Sequence, residues 1–246
     1  MTWPILTLTT DFGLADHYVG VMKGVILEIC PRAQIVDISH QVTPFGIAEG
    51  AYLIAQSYRW FPKKTVHVAV VDPGVGSERP AILVEAAGQY FVGPDNGVFS
   101  IVMAQEKHKA RVITNNRYFR RPVSRTFQGR DVFAPTGAHL AAGVPPSRLG
   151  KSWPAPITAD MASPQVLHID RFGNIVTNLR AADKRISLKI GRATISRVAS
   201  HYAEMAPGQL FLIEGSSGYI EVSMNRGSAV ERIGCRAGDM VQINRS

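Results

Sequence analysis

Hydrophobic positions in the first 140 or so residues switch between the periods of strand and helix. Ile5-Leu6-Thr7-Leu8-Thr9-Thr10 is a short β-rich run ending at Asp11-Phe12-Gly13. Over residues 16–30 the spacing becomes helical, with Val19, Met22, Val25, Ile26 and Ile29 on one face and Pro31 as the stop. Ile35-Val36-Asp37-Ile38 predicts a second strand, and Ile47–Ser57 a second helix with Ala51, Ile54 and Ala55 inward. Residues 65–71 are almost continuously apolar, as suits a parallel strand buried on both faces, and end at Asp72-Pro73-Gly74. Shorter strands at 82–84 and 90–92 follow, and residues 131–142 predict a helix broken near its start by Pro135. The order β-α-β-α-β specifies an α/β domain with a mostly parallel sheet, over residues 1–150. Ligands of such sheets sit outside the carboxyl ends of strands, where Asp11 and Asp72 stand.

After Gly143 the pattern changes. Val144-Pro145-Pro146 and Trp153-Pro154-Ala155-Pro156 predict a linker at about 144–159. Beyond it lie short apolar runs at 166–169, 186–190, 193–198, 210–214, 219–222 and 240–243, separated by Gly and Asp and without helical periodicity. They predict an all-β domain over 160–246, folded as a small barrel.

Composition narrows the function classes. Hydrophobic residues make up 46% of the 246 and charged residues 19%, an ordinary globular balance. No apolar run approaches the ~20 residues that span a bilayer, and Met1-Thr2-Trp3-Pro4 lacks the marks of a signal peptide. The expected compartment is the cytoplasm, with no membrane partner. The net charge of +8 raises nucleic-acid binding. However, the densest basic stretch, residues 117–130, is broken by Pro122 and hydrophobics and carries no recognised nucleic-acid motif, so none is expected as a partner. Cys30 and Cys235 are not spaced as a metal or redox pair and read as buried small hydrophobes. The seven histidines form no HxH, HxxxH or HExxH pattern, so no metal is expected. Asp72-Pro73-Gly74-Val75-Gly76 lacks the third glycine of a dinucleotide fingerprint.

Four segments place polar residues in turns beside apolar strands: Thr10-Asp11-Phe12-Gly13, residues 72–79, Phe127-Gln128-Gly129-Arg130-Asp131, and Asp170-Arg171-Phe172-Gly173-Asn174. Any one is ordinary turn chemistry; four in one chain are less so. Together with Val42-Thr43-Pro44-Phe45, Glu49-Gly50-Ala51, Gly93-Pro94-Asp95-Asn96-Gly97 and Gly215-Ser216-Ser217-Gly218-Tyr219, they carry a resemblance running nearly end to end. The chain resembles the S-adenosyl-methionine (SAM) hydroxide adenosyltransferases, adenosine-forming SAM hydrolases related to the nucleoside fluorinase and chlorinase. The resemblance implies an N-terminal α/β domain and a C-terminal β-barrel. It also implies a homotrimer whose sites lie between the first domain of one subunit and the second domain of its neighbour. SAM is then the substrate, with no cofactor.

The resemblance also implies roles. Asp11 matches the ribose-binding carboxylate, and Phe45 an aromatic lining the SAM pocket. Asp170 matches the acid that pairs with the methionine ammonium. Asn174 matches the amide that reads adenine, Phe172 packs beside the base, and Tyr202 is a further adenine-packing aromatic. Ser216 matches a serine that binds the methionine carboxylate, whereas Ser217 stands where the fluorinase has an arginine. Asp72 and Arg79 match two members of a water-activating Asp-Arg-His constellation. The third position is Gln128, which orients water but takes no proton near neutrality. His139 lies in a segment shared with the halogenases and reads as a helix residue without a catalytic role. Two alternatives stand beside hydrolysis. A halogenase is disfavoured because an anionic Asp72 repels halide. A non-catalytic SAM or nucleoside sensor is favoured by the absent histidine.

Overall fold

A computed structural model describes residues 3–180 and 186–245, in two compact units that divide between Ala159 and Asp160. The first unit is built on β1 (Ile5–Thr10), β2 (Gln34–Ser39), β3 (Val66–Val70), β4 (Ala81–Ala86), β5 (Gln89–Pro94) and β6 (His108–Val112), in one sheet of order β2-β1-β3-β5-β4-β6. Strands β2, β1, β3 and β5 pair in parallel, and β4 runs antiparallel between β5 and β6. The fold is therefore α/β with a mostly parallel sheet. Its helices are α1 (Tyr18–Ile29), α2 (Ile47–Ser57), α3 (Ser100–Gln105) and α4 (Ala134–Ala141). All five residues of β3 are buried, as a central strand covered on both faces requires. Val19, Met22, Val25 and Ile26 of α1 and Ala51, Ile54 and Ala55 of α2 are the buried stripes the periodicity predicts, while Ile29 is only partly covered. No helix among the described residues is long and apolar enough to cross a membrane.

The predicted break at Pro135 takes a definite form. A π-helical turn, Gly129–Phe133, leads into α4, with Pro135 in the first turn of the α-helix. Proline has no N–H to offer the carbonyl four residues back. That carbonyl, of Asp131, instead accepts from Arg120 N at 2.8 Å. The proline-rich segment 144–159 is pinned to the first unit. Buried Asp95 accepts from Trp153 Nε1 and from Ile157 N, both at 2.8 Å, and Ala159 N donates to Ser100 Oγ.

In the second unit β7 (Val166–Ile169), β8 (Ile175–Arg180), β11 (Leu210–Glu214) and β12 (Tyr219–Met224) form an antiparallel sheet of order β11-β12-β8-β7. A second antiparallel sheet has order β10-β9-β13, from β9 (Ile186–Ile190), β10 (Ala193–Ile195) and β13 (Val241–Arg245). Among the described residues these are separate sheets, with two isolated bridges beside them, Gln165–Met240 and Val198–Leu212. The unit is not all-β. Helix α5 (Ala229–Ile233) starts at a Ser228 cap and ends at Gly234 in the left-handed region, too short to show a period. Cys30 is buried as expected, whereas Cys235 is only partly so; both are free thiols.

An ionisable residue sits in the middle of the apolar sheet. His67 of β3 is 2% exposed and stacks on Phe91 at 4.8 Å. Gln89 donates its amide N–H groups to the carbonyls of Tyr58, Phe61 and Pro62, so its oxygen faces His67 Nε2 at 3.3 Å and accepts. Nε2 therefore carries the proton and Nδ1 accepts from Thr7 Oγ1 at 2.8 Å. Burial, opposed by the Gln89 bond, lowers the His67 pKa to about 4. The imidazole is neutral in the fold and gains a proton more readily when unfolded. Its contribution is complete above the unfolded pKa and is lost as pH falls from there toward 4. By about pH 5 this one group should remove about 2 kcal/mol of stability. Urea midpoints measured between neutral pH and pH 5 should fall more steeply for the natural protein than for His67→Gln; parallel profiles would refute the assignment.

Candidate active site

Thr10, the last residue of β1, pairs in parallel with Val70, the last of β3. Asp11 and Asp72 therefore leave neighbouring strands at one sheet edge, the position where α/β sheets bind ligands. Two loops and the start of the π-turn converge on this edge.

The loop after β3 folds back on itself. Val75 N donates to Asp72 O at 3.2 Å, and Ser77 donates to Gly74 O through both N and Oγ, at 3.1 and 2.7 Å. Gly76 has φ +80°, and a Cβ there would lie 2.5 Å from Arg125 O, so only glycine lets this loop rest on the 125 backbone. The reversal brings Arg79 back to Asp72. Arg79 Nε donates to both carboxylate oxygens, at 2.8 and 3.0 Å, and its NH2 group bonds Asp72 Oδ2 and Gln128 Oε1. The side chains of Asp72 and Arg79 are 3% and 10% exposed, and the guanidinium lies 5.3 Å from the Phe133 ring centre. Asp72, Arg79 and Gln128 thus form one hydrogen-bonded group. His139 is not part of it: it sits on α4 with its ring 5.0 Å from Tyr118.

Asp11 accepts from Phe45 N at 2.9 Å through Oδ2. Burial raises its pKa and the nearby charge of Asp72 adds to the rise, while the Phe45 N–H opposes both. Phe45 is held at φ +68°, costly for a residue with a side chain, and its ring is 69% exposed. It is not a core residue. Buried Glu49 fixes this turn by accepting from Thr43 N at 2.7 Å.

A second support was missed by sequence reasoning. His40 holds the Asp11 loop twice: its carbonyl accepts from Gly13 N at 2.7 Å, and Nδ1 bonds Thr10 Oγ1 at 2.8 Å. Its Nε2 lies 3.1 Å from Asp37 Oδ1, an electrostatic contact without hydrogen-bond alignment, and Lys23 completes the series with Asp37 at 2.6 Å. Only the spacing Asp37-x-x-His40 at a strand end hinted at it.

In the second unit the remaining candidates line one cleft of about 660 Å³: Asp170, Phe172, Asn174, Tyr202 and Ser216. Asp170 Oδ1 accepts from Phe172 N and Asn174 N, both at 2.9 Å, and Oδ2 from Asn174 Nδ2 at 2.8 Å. This fixes which way the Asn174 amide faces, leaving its oxygen and one N–H for a ligand. Phe172 and Tyr202 are 78% and 44% exposed, so their rings are open to solvent rather than core. Ser217 does not line the cleft; its carbonyl accepts from Arg180, which stacks on Tyr219 at 3.7 Å. Buried Glu221 also lines the cleft and was not a candidate, because its place in an alternating strand gave no signal.

Comparison with known proteins agrees over both units. The model of the SAM hydroxide adenosyltransferase N-terminal domain matches residues 6–150, and that of the C-terminal domain matches 164–242. The (R)-S-adenosyl-L-methionine hydrolase of Salinispora tropica is 36% identical over 98% of this chain and 97% of its own. That of Methanocaldococcus jannaschii is 45% identical over 72% of this chain and 67% of its own. Fluorinases are more distant relatives. The crystal structure of an uncharacterized conserved protein from Thermotoga maritima superposes with a TM-score of 0.89 at 35% identity, covering 98% of this chain and all of that one. The chain belongs to the SAM hydroxide adenosyltransferase family.

Proposed function

We propose that the protein hydrolyses SAM at the ribose C5′ carbon, giving adenosine and L-methionine. The observation that carries this reading is the buried Asp72–Arg79–Gln128 group beside Asp11 at the sheet edge. In SAM the leaving group is a sulfonium. It departs as neutral methionine, so no general acid is needed, and the difficulty lies in a weak nucleophile that must attack in line with the C5′–S bond. Water forms the new C–O bond, and the C5′–S electron pair leaves with sulfur as the methionine thioether. The water proton passes to Asp72 and then to solvent. Arg79 does not exhaust the acceptor sites of Asp72, since a carboxylate offers about four. The Arg79 cation favours developing hydroxide. Gln128, its oxygen held by Arg79, has amide N–H groups left to orient the water.

The other roles follow from the groups presented. Asp11 takes the ribose hydroxyls, and exposed Phe45 covers the substrate. Asn174 reads the adenine edge with Phe172 and Tyr202 against the base, while Ser216 meets the methionine carboxylate. Asp170 keeps Asn174 in register. The two sheets of the second unit form the walls of a small barrel. The protein works as a homotrimer in the cytoplasm, a reducing compartment that suits two free thiols.

Chromatography after incubation with SAM should show adenosine and methionine. A halogenated nucleoside formed in halide buffer would make it a halogenase, and binding with SAM left intact a sensor. Asp72→Asn should lower turnover at saturating SAM by about 10²–10⁴-fold, the usual cost of losing a positioned base. Gln128→His should keep or raise turnover. Undiminished turnover in Asp72→Asn would remove the water-activation scheme.

Asp11→Ala should weaken SAM binding by roughly ten- to a hundredfold, the worth of hydrogen bonds to a charged acceptor. Calorimetry giving an unchanged affinity would reduce Asp11 to a turn residue. Light scattering of the active protein should give the mass of three chains; a monomer that retains full activity would exclude the trimer.

A further inference from the structure

The cleft of the second unit contains a carboxylate that the roles above do not use. Glu221 lies within β12, opposite Ile213 of β11 and Val176 of β8, and is 8% exposed. It lines the cleft with Asp170, Asn174, Tyr202 and Ser216. Among the described residues no donor hydrogen-bonds its carboxylate, and its oxygens are not sealed off as orphaned buried atoms are; they open on the cleft. An ionised carboxylate with little water and no donor is costly and is rarely kept without a ligand.

Its position is enforced. A Cβ on Gly215 would overlap Glu221 Oε1, and the backbone of Gly215 is not in the left-handed region, so the missing side chain there makes room for the carboxylate. Burial above all, and then the charge of Asp170, push the Glu221 carboxyl above its usual range, while His168 opposes them. Asp170 is already committed to three hydrogen bonds from Phe172 and Asn174. Glu214 at the cleft is exposed to water, so among these carboxylates Glu221 is the one that is buried with its acceptor sites open.

Three carboxylates line the cleft, Asp170, exposed Glu214 and buried Glu221, and a buried one without donors calls for a cation that carries N–H bonds. Among the described residues no three His, Cys, Asp or Glu side chains gather to hold a metal ion, so the fit is to an organic ammonium. We infer that Glu221 is the direct partner of the substrate's α-ammonium, with Asp170 acting at one remove by holding Asn174 and adding its charge. This rests on the SAM reading above and transfers to Glu221 the contact that resemblance alone gives to Asp170. Because the ammonium is remote from C5′, Glu221 acts on binding and on selection of the amino-acid portion, not on the chemical step.

The sulfonium is also cationic, so the test must separate the two charges. The probes are SAM, adenosine, and the SAM analogue in which hydrogen replaces the α-amino group while the sulfonium is kept. Calorimetry should show Glu221→Gln weakening SAM by about ten- to a hundredfold, as expected for a charged hydrogen bond. Adenosine should change by less than about twofold, and the analogue should bind both proteins alike. In kinetics KM should rise with kcat nearly kept. Equal losses for SAM and the analogue, or unchanged SAM affinity in the variant, would overturn the inference. The natural protein alone gives a check that no folding defect can obscure: it should bind the analogue more weakly than SAM, and equal affinities would also overturn it. If the natural protein bound neither SAM nor adenosine, the SAM reading itself would fail and this inference with it.

Discussion

The guanidinium of Arg79 joins two stretches of chain that are far apart in sequence. It grips both oxygens of Asp72 and the amide oxygen of Gln128, under the ring of Phe133. A buried ion pair brings little net stability, because desolvation offsets attraction, but it fixes geometry strongly. Here it fixes the β3 end, the returning loop and the start of the π-turn relative to one another. Much else at the sheet edge exists so that Arg79 can reach: the double Ser77–Gly74 bond, the left-handed Gly76, and its contact with the 125 carbonyl. Losing either charge would leave the other buried and uncompensated, and the loop geometry would fail with it.

The parts legible in the sequence were those with a long, clean period or a dense motif. Strands β1 and β3 and the buried stripes of α1 and α2 could be read from spacing alone. The sheet edge was legible because Asp11 and Asp72 each end an apolar run. Strand β6 was not, since an edge strand reading His-Lys-Ala-Arg-Val is short and carries three charged or polar residues in five. Helix α3 has six residues, less than two turns, and β8 was hidden because its Thr177 and Asn178 are polar: Thr177 bonds the Ile220 carbonyl, and Asn178 those of Met161 and Ser163. His40 and Glu221 escaped for another reason. Each gains its meaning from a residue distant in sequence, Thr10 for the first and Asp170 for the second, and a linear pattern does not show such pairs.

Carboxylates do contrasting work in the two units. Asp95 accepts from an indole and a backbone N–H and Glu49 from the Thr43 N–H, and both serve the fold. Asp170 accepts three N–H bonds and orients an amide. Asp11 accepts from the Phe45 N–H, whereas among the described residues no donor bonds Glu221. The absence of a donor sets Glu221 apart better than burial does, because Asp95, Glu49 and Glu221 are all buried.

The π-turn at Gly129–Phe133 has a consequence for how freely position 128 can change. An α-helix advances about 100° per residue, and a wider turn inserts extra phase before regular winding resumes. Gln128 can therefore point at Arg79 while Ala134 and Ala138 keep their face on the core. The phase is set by backbone and by Pro135, not by the side chain at 128. An amide and an imidazole can be exchanged there without rotating the apolar face of α4 out of register. The turn acts as a clutch: the side chain at position 128 can be exchanged by single substitutions while the helix behind it remains in gear with the sheet.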